Sequence, residues 1–203
     1  MNRRKLLRFV GLVAIVVALF ALLYRPFPSD KTPEGAYMRI ARSMAMNKPL
    51  EIFPYLENEA QWASYSIRDS RKEAKTLVLR SYPEPAKTEW LTTHGKIADA
   101  PDGSDAFYIY SEQRGLLERL KKDLSGVDRV DIDGERATVV TARGTRYAFR
   151  KRPNGIWGLT LFSAELIAER NRAERDLSVI RTAAADYDRV KGVVAPLTAD
   201  AGR

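Results

Sequence analysis

The sequence predicts an α+β fold: an N-terminal transmembrane helix, then helices packed on a four-stranded antiparallel meander, with a long C-terminal helix closing the chain. Three observations predict it. An uninterrupted apolar run, Phe9 to Tyr24, follows a basic start. From Thr32 to about Leu124 apolar residues recur at helical spacing, and from Val127 they alternate. The alternating region is punctuated by Asp133-Gly134, Arg143-Gly144 and Asn154-Gly155, three turn signals at regular spacing.

The N-terminus, "MNRRKLLRFVGLVAIVVALFALLYRPFPSD", carries the clearest signal. Leu6 and Leu7 lengthen the apolar run and Arg8 can snorkel to the headgroups, so residues 6–24 reach the lower end of the length that crosses a bilayer. Positive charge clusters before the run, which orients the N-terminus to the cytoplasm and the globular domain outside it. A cleaved signal peptide needs small residues at its cleavage site, and Leu19-Phe20-Ala21 is a poor one. Without cysteine there is no acceptor for lipid attachment after the run and no disulfide to staple the exported part. The expected address is a single-pass inner (cytoplasmic) membrane protein with a periplasmic or extracytoplasmic domain. Residues 1–25 form the cytoplasmic tip and anchor, 26–31 a linker, 32–191 one α+β domain, and 192–203 a flexible tail.

Thr32-Pro33-Glu34 opens the first helix, with Thr as cap and Pro at the first helical position, and Tyr37, Ile40, Ala41 and Met44 on its apolar side. Pro49 and Pro54 break up the next stretch of chain. A second helix is expected from Asn58 to Ser81, ending before Pro83, with Ile67, Ala74, Leu77 and Val78 inward. A shorter helix is expected around Trp90 and Leu91. Another is expected from Asp105 to Leu124, with Phe107, Tyr110, Leu116, Leu117 and Leu120 apolar. The strands "VDRVDID", "ERATVVTA", "TRYAFRKR" and "IWGLTLF" come next.

In the third and fourth strands, parity sorts Tyr147 and Phe149 to one face and Arg146, Ala148 and Arg150 to the other. Trp157, Leu159 and Leu161 share a face beyond the turn. Tyr147, Phe149 and Trp157 are therefore the candidate pocket or core aromatics, and the arginines are solvated. Of the formal net charge of +8, Arg3, Arg4, Lys5, Arg8 and Arg25 supply +5, leaving the rest of the chain near +3. That is a weak phosphate footprint and argues against nucleic acid as a partner.

The last helix is expected from Ala164 to Lys191, with Leu166, Ala173, Leu177, Ile180, Ala184 and Tyr187 in one stripe. At 1.5 Å per residue it spans roughly 42 Å, longer than the roughly 20–25 Å of a strand it could cover. The excess must project or pack elsewhere. Its second half, with Ala184, Tyr187 and Lys191, is the candidate surface for a protein partner or self-association, beside the alternative that the whole helix folds on its own domain.

Helices opening with "TPEGAYMRIARSMAMNKPLEIFPYL", followed by a meander ending in "RPNGIWGLTLF", resemble the cystatin-like and nuclear-transport-factor-like α+β cone group over roughly Thr32 to Phe162. The resemblance implies helices closing one side of a curved sheet, with a pocket at the open end. Many exported bacterial members of that group are membrane-anchored. The chain lacks their clear early strand and adds the long terminal helix.

No enzyme signature emerges from the residues. His94 is the single histidine, so histidine metal sites and Ser-His-Asp triads have one member to build on, and it reads as an ordinary loop or helix-end residue. No Gly-x-Ser-x-Gly, Ser-x-x-Lys or glycine-rich phosphate loop occurs. "DRVDIDGER" fails as a calcium loop because Arg129 and Val140 fall at ligand positions, and it reads as a hairpin turn. Glu165 and Glu169 read as i,i+4 surface charges. No cofactor and no metal is expected. Three function classes remain: a membrane-anchored extracytoplasmic binding or protein-interaction module with no evident catalytic site, a structural component of an envelope assembly, and a small enzyme on a cone-like scaffold.

Overall fold

The computed structural model describes residues 27–200, with side chains to Lys191. The apolar run expected to anchor the chain lies outside the described residues, and among those described no helix is long and apolar enough to cross a membrane. Helix α1 (Pro33–Ala45) begins as the sequence requires: Thr32 is extended and its hydroxyl accepts from the Gly35 amide at 3.1 Å. A 3-10 segment (Pro49–Tyr55) carries both prolines. Then come α2 (Asn58–Ser81) and α3 (Ala86–Ala98), both where hydrophobic spacing and Pro83 place them.

The single helix expected from Asp105 to Leu124 is two helices, α4 (Gly103–Gln113) and α5 (Leu116–Asp123). Gly115 breaks it by adopting φ 63°, a left-handed conformation that glycine reaches without a Cβ clash. The apolar spacing carries across the break, so all five named residues of the two helices are still buried.

Strands β1 (Val127–Asp133), β2 (Arg136–Thr141), β3 (Arg146–Lys151) and β4 (Trp157–Leu159) form one antiparallel sheet in the order β1-β2-β3-β4. The register pairs Val139 with Tyr147 and Phe149 with Leu159. Tyr147, Phe149 and Trp157 are buried in the main core. β4 is shorter than expected and its alternation fails past Leu159: Leu161 is 52% exposed. The strand's outer flank is covered instead by the chain entering α2, because Leu56 bridges Leu159 in parallel. There Gly158 is obligatory, since a Cβ would sit 2.6 Å from the Glu57 Cα.

The final helix α6 runs from Ser163 to Asp200, so helix continues into the segment 192–203 expected as a tail. Its excess length lies along α2. The two helices run parallel: Arg71 meets Glu169 and Asp176, and ten residues further on Ser81 meets Asp188. A second, smaller core of Ala74, Val78, Leu177 and Ile180 seals this pair, with Leu77, Tyr82 and Trp90 against it. The molecule therefore has two packed regions. One is the sheet covered by α1, the 3-10 segment, α4, α5, the first half of α2 and the first turn of α6. The other is an arm made of the second half of α2, α3 and the continuation of α6.

Candidate functional site

At the end of the sheet where α5, β3 and the start of α6 meet lies a cleft of about 340 Å3, within the range of small-ligand pockets. Amphipathic α5 turns Leu116 and Leu120 inward, and the chain leaving β4 adds Leu161 and Phe162 to this apolar wall. Arg119 and Asp123 from α5, Arg146 from β3 and Glu165 from α6 bring two cations and two carboxylates to the same cleft. None of these four makes an ion pair within 4 Å among the described residues; Arg119 donates only weakly to the Arg114 carbonyl at 3.4 Å, and Glu165 accepts from the Tyr110 hydroxyl at 3.5 Å.

Tyr147 also lines the cleft, and its hydroxyl is buried without a hydrogen-bond partner. Burial, with the neighbouring Tyr37 and Asp123 adding to it, pushes its pKa up to about 12, so the group stays a neutral donor and acceptor. The contrast with Tyr37, whose ring lies 5.4 Å away, is direct. The Tyr37 hydroxyl donates to the Ser125 carbonyl at 2.7 Å and accepts from the Ser125 amide at 3.1 Å. A buried hydroxyl left without a partner carries a desolvation cost of about 1–3 kcal/mol that a bound polar group would relieve.

The other concentration of polar chemistry lies in the arm, where sequence reasoning missed its centre. Arg71 is 1% exposed and donates to Glu169 at 3.0 Å and Asp176 at 2.7 Å; Arg172 also donates to Glu169, at 2.8 Å. Glu169 is thus no surface charge: it is buried, which corrects the exposed i,i+4 reading, while Glu165 stays half-exposed in the cleft. His94, half-buried with its ring 5.2 Å from that of Trp90, feels the same network. Its pKa is lowered, first by burial and then by the Arg71 cation, with Asp176 and Glu169 opposing. Two guanidinium groups and two carboxylates balance in charge, and the Arg71 bonds to Glu169 and Asp176 hold α2 to α6, while the Arg71 Nε is buried without a partner. No group of three or more His, Cys, Asp or Glu able to hold a metal occurs among the described residues.

Of the residues singled out in the sequence, Tyr147 reaches the cleft, as do Arg146, expected as a solvated strand arginine, and Glu165, expected as a surface charge. Phe149 is packed away from it in the core, and Trp157 donates its indole N–H to the Lys31 carbonyl at 3.1 Å, pinning the segment expected as a linker. Ala184 is buried within the arm, Tyr187 meets the Tyr82 ring edge-on at 5.0 Å, and Lys191 donates to the Ser81 carbonyl at 3.0 Å. Arg150 is exposed on the wet face of the sheet, 3.6 Å from Glu59. Arg119, Asp123 and Glu165 went unrecognised as neighbours, because nothing in local spacing says which helix ends meet at the sheet.

No protein-family model matches the chain, and no characterised protein or solved structure matches it.

Proposed function

We propose that this protein is a membrane-anchored, extracytoplasmic binding module whose ligand site is the cleft between α5, β3 and α6. The address rests on the basic start and apolar run of residues 6–24. The observation that carries the binding reading is the set of four charged side chains, Arg119, Asp123, Arg146 and Glu165, facing one apolar-walled cleft without pairing to one another. A ligand bearing both signs of charge and an apolar body satisfies all of them at once: a small amphipathic zwitterion, such as a free amino acid or short peptide with an apolar side chain. Its carboxylate meets the guanidinium groups, its ammonium the carboxylates, and its side chain the Leu120 and Phe162 wall.

Calorimetric titration of the full chain in detergent micelles with leucine, phenylalanine and their dipeptides tests this, with phenylpropionate and phenethylamine as single-charge controls. Saturable binding of zwitterions, weaker binding of both controls, and loss in Arg146→Ala and Glu165→Ala are expected. No saturable heat from any member, or variants that bind as well as the parent, would overturn the reading.

A second reading, a protein-interaction module, is favoured by exposed apolar side chains. Trp62 is 72% exposed on α2, beside exposed Tyr65, and exposed aromatics of this kind are the usual anchors of protein interfaces. Association through the C-terminal helix would use its outer side, where Val179 and Val190 are exposed. Trp62→Ala and Val179→Asp separate the two surfaces in a sedimentation or cross-linking experiment.

A further inference from the structure

We propose that the outer face of α1 and the 3-10 segment rests on the lipid surface, seated in the headgroup layer of the bilayer spanned by residues 6–24. The proposal rests on the anchor reading and adds an orientation to it. The first argument is reach. If the span ends near Tyr24, only Arg25 and Pro26 separate it from Phe27, a distance of at most about 11 Å for fully extended chain. The headgroup layer on each side of a bilayer is itself about 5–7 Å thick.

Phe27 rests on the surface of α1. The guanidinium groups of Arg39 and Arg42 lie over its ring at 5.0 and 5.7 Å. Just beyond it, Ser29 is locked under α1: its carbonyl accepts from the Thr32 hydroxyl at 2.7 Å, and a Cβ on Gly35 would sit 2.0 Å from that oxygen. The Asp30 carbonyl accepts from the Trp157 amide at 3.3 Å. A tether this short, entering a domain this firmly, presents one face to the membrane.

That face has interfacial chemistry. Arg39, Arg42 and Met46 share the side of α1 opposite its buried Tyr37, Ile40 and Met44. Met46 is 52% and Leu50 42% exposed, and exposed Phe27 lines the same groove as Met46. Arg and Lys stems can lie along acyl surface while their heads stay in water. The charges nearly cancel, since Arg39 approaches Asp30 at 3.9 Å and Lys48 pairs with Glu51 at 3.0 Å, while Arg42 makes no ion pair among the described residues. Apolar contact and the tether's high effective concentration therefore hold the face down, and anionic lipid contributes little.

The chain has no cysteine, so single-cysteine variants read position cleanly. Met46→Cys and Leu50→Cys sit on the proposed face. Ile132→Cys and Val179→Cys are exposed controls elsewhere, Ile132 lying roughly 17 Å along β1 from Val127, which shares a separate shallow groove with Phe27. Each full-length variant, labelled with a small environment-sensitive fluorophore, is reconstituted into vesicles of phosphatidylcholine, with and without phosphatidylglycerol. Lipid spin-labelled near the headgroup is the quencher. Several-fold stronger quenching at 46 and 50 than at 132 and 179, in both lipid mixtures, is expected. Equal quenching at all four positions in protein that floats with the vesicles after a carbonate wash overturns the docking proposal and leaves the anchor standing. Failure to float overturns both.

Discussion

The sheet region and the helical arm are held by opposite chemistry. The sheet region is closed by interlocking aromatics: Phe107 packs edge-on against Phe162 at 5.4 Å, and Tyr37 lies tilted against Tyr147. The arm has a small apolar seal and a buried arginine bonded to two carboxylates. Apolar burial is non-directional and tolerates relaxation, whereas a buried charge network fixes one alignment of its helices and fails when a partner is lost. The proposed cleft belongs to the first region, where charges face solvent space unpaired. In the arm the buried charges pair with one another across α2 and α6. Unpaired charge beside apolar wall marks a place to bind, and paired charge under apolar cover marks a place to clamp.

The largest effect should come from the sheet region. Trp157→Ala removes a buried aromatic that also pins Lys31, and is expected to destabilise by about 3–5 kcal/mol in denaturant unfolding. Next is the clamp. Arg71→Met leaves Glu169 buried, yet Arg172 still bonds that carboxylate at 2.8 Å and Asp176 is open to water, so the expected loss is about 3 kcal/mol, the lower end for breaking a buried pair. Restoring most of that stability with Glu169→Met in the Arg71→Met background would sharpen the comparison; a neutral single variant would break it.

Truncation after Arg181 removes Ala184, the Tyr187 contact with Tyr82 and the Asp188 bond to Ser81. An intramolecular role predicts a lower melting temperature in the monomer, with a cost of about 2–3 kcal/mol for one aromatic contact and the hydrogen bonds that join Asp188 and Lys191 to Ser81. An unchanged melting temperature with altered self-association would return the helix end to a partner.

A smaller effect concerns pH. The folded state lowers the His94 pKa below its unfolded value, so below about pH 6.5 the unfolded chain binds the proton more readily. The stabilisation from neutral His94 is present above that pH and is lost as pH falls toward the folded pKa. His94→Gln should flatten this part of a stability profile measured by urea unfolding. The smallest effect is at Arg150, whose exposed side chain lies 3.6 Å from exposed Glu59 and 3.8 Å from the buried Glu57 carboxylate; Arg150→Ala should cost no more than about 1 kcal/mol, through Glu57.

Much of the first region was legible because its elements obey one period each. Strand parity placed Tyr147, Phe149 and Trp157 inside, and the three Asp-Gly, Arg-Gly and Asn-Gly turns adopt positive φ at Gly134, Gly144 and Gly155. The break at Gly115 was hidden because apolar spacing runs through it, and a single glycine within a helical pattern is compatible with either outcome. β4 stopped early because the chain entering α2, remote in sequence, covers it. The clamp had a signal that went unread. Arg71 falls on the stripe of Ile67, Ala74 and Val78, and Glu169 between Leu166 and Ala173: one cation and one acid, each on the apolar side of its helix. The cleft had none, since three of its charges come from helix ends that meet only in three dimensions.

The distinction between binding region and clamp is tested most directly by amide chemical-shift mapping on the full chain in micelles, titrated with a zwitterionic dipeptide such as leucyl-phenylalanine. The account predicts shifts concentrated on Leu116–Asp123, Thr145–Tyr147 and Leu161–Glu165, with Arg71, His94 and Asp176 unmoved. Shifts centred on the arm, or none at saturating dipeptide, would contradict it.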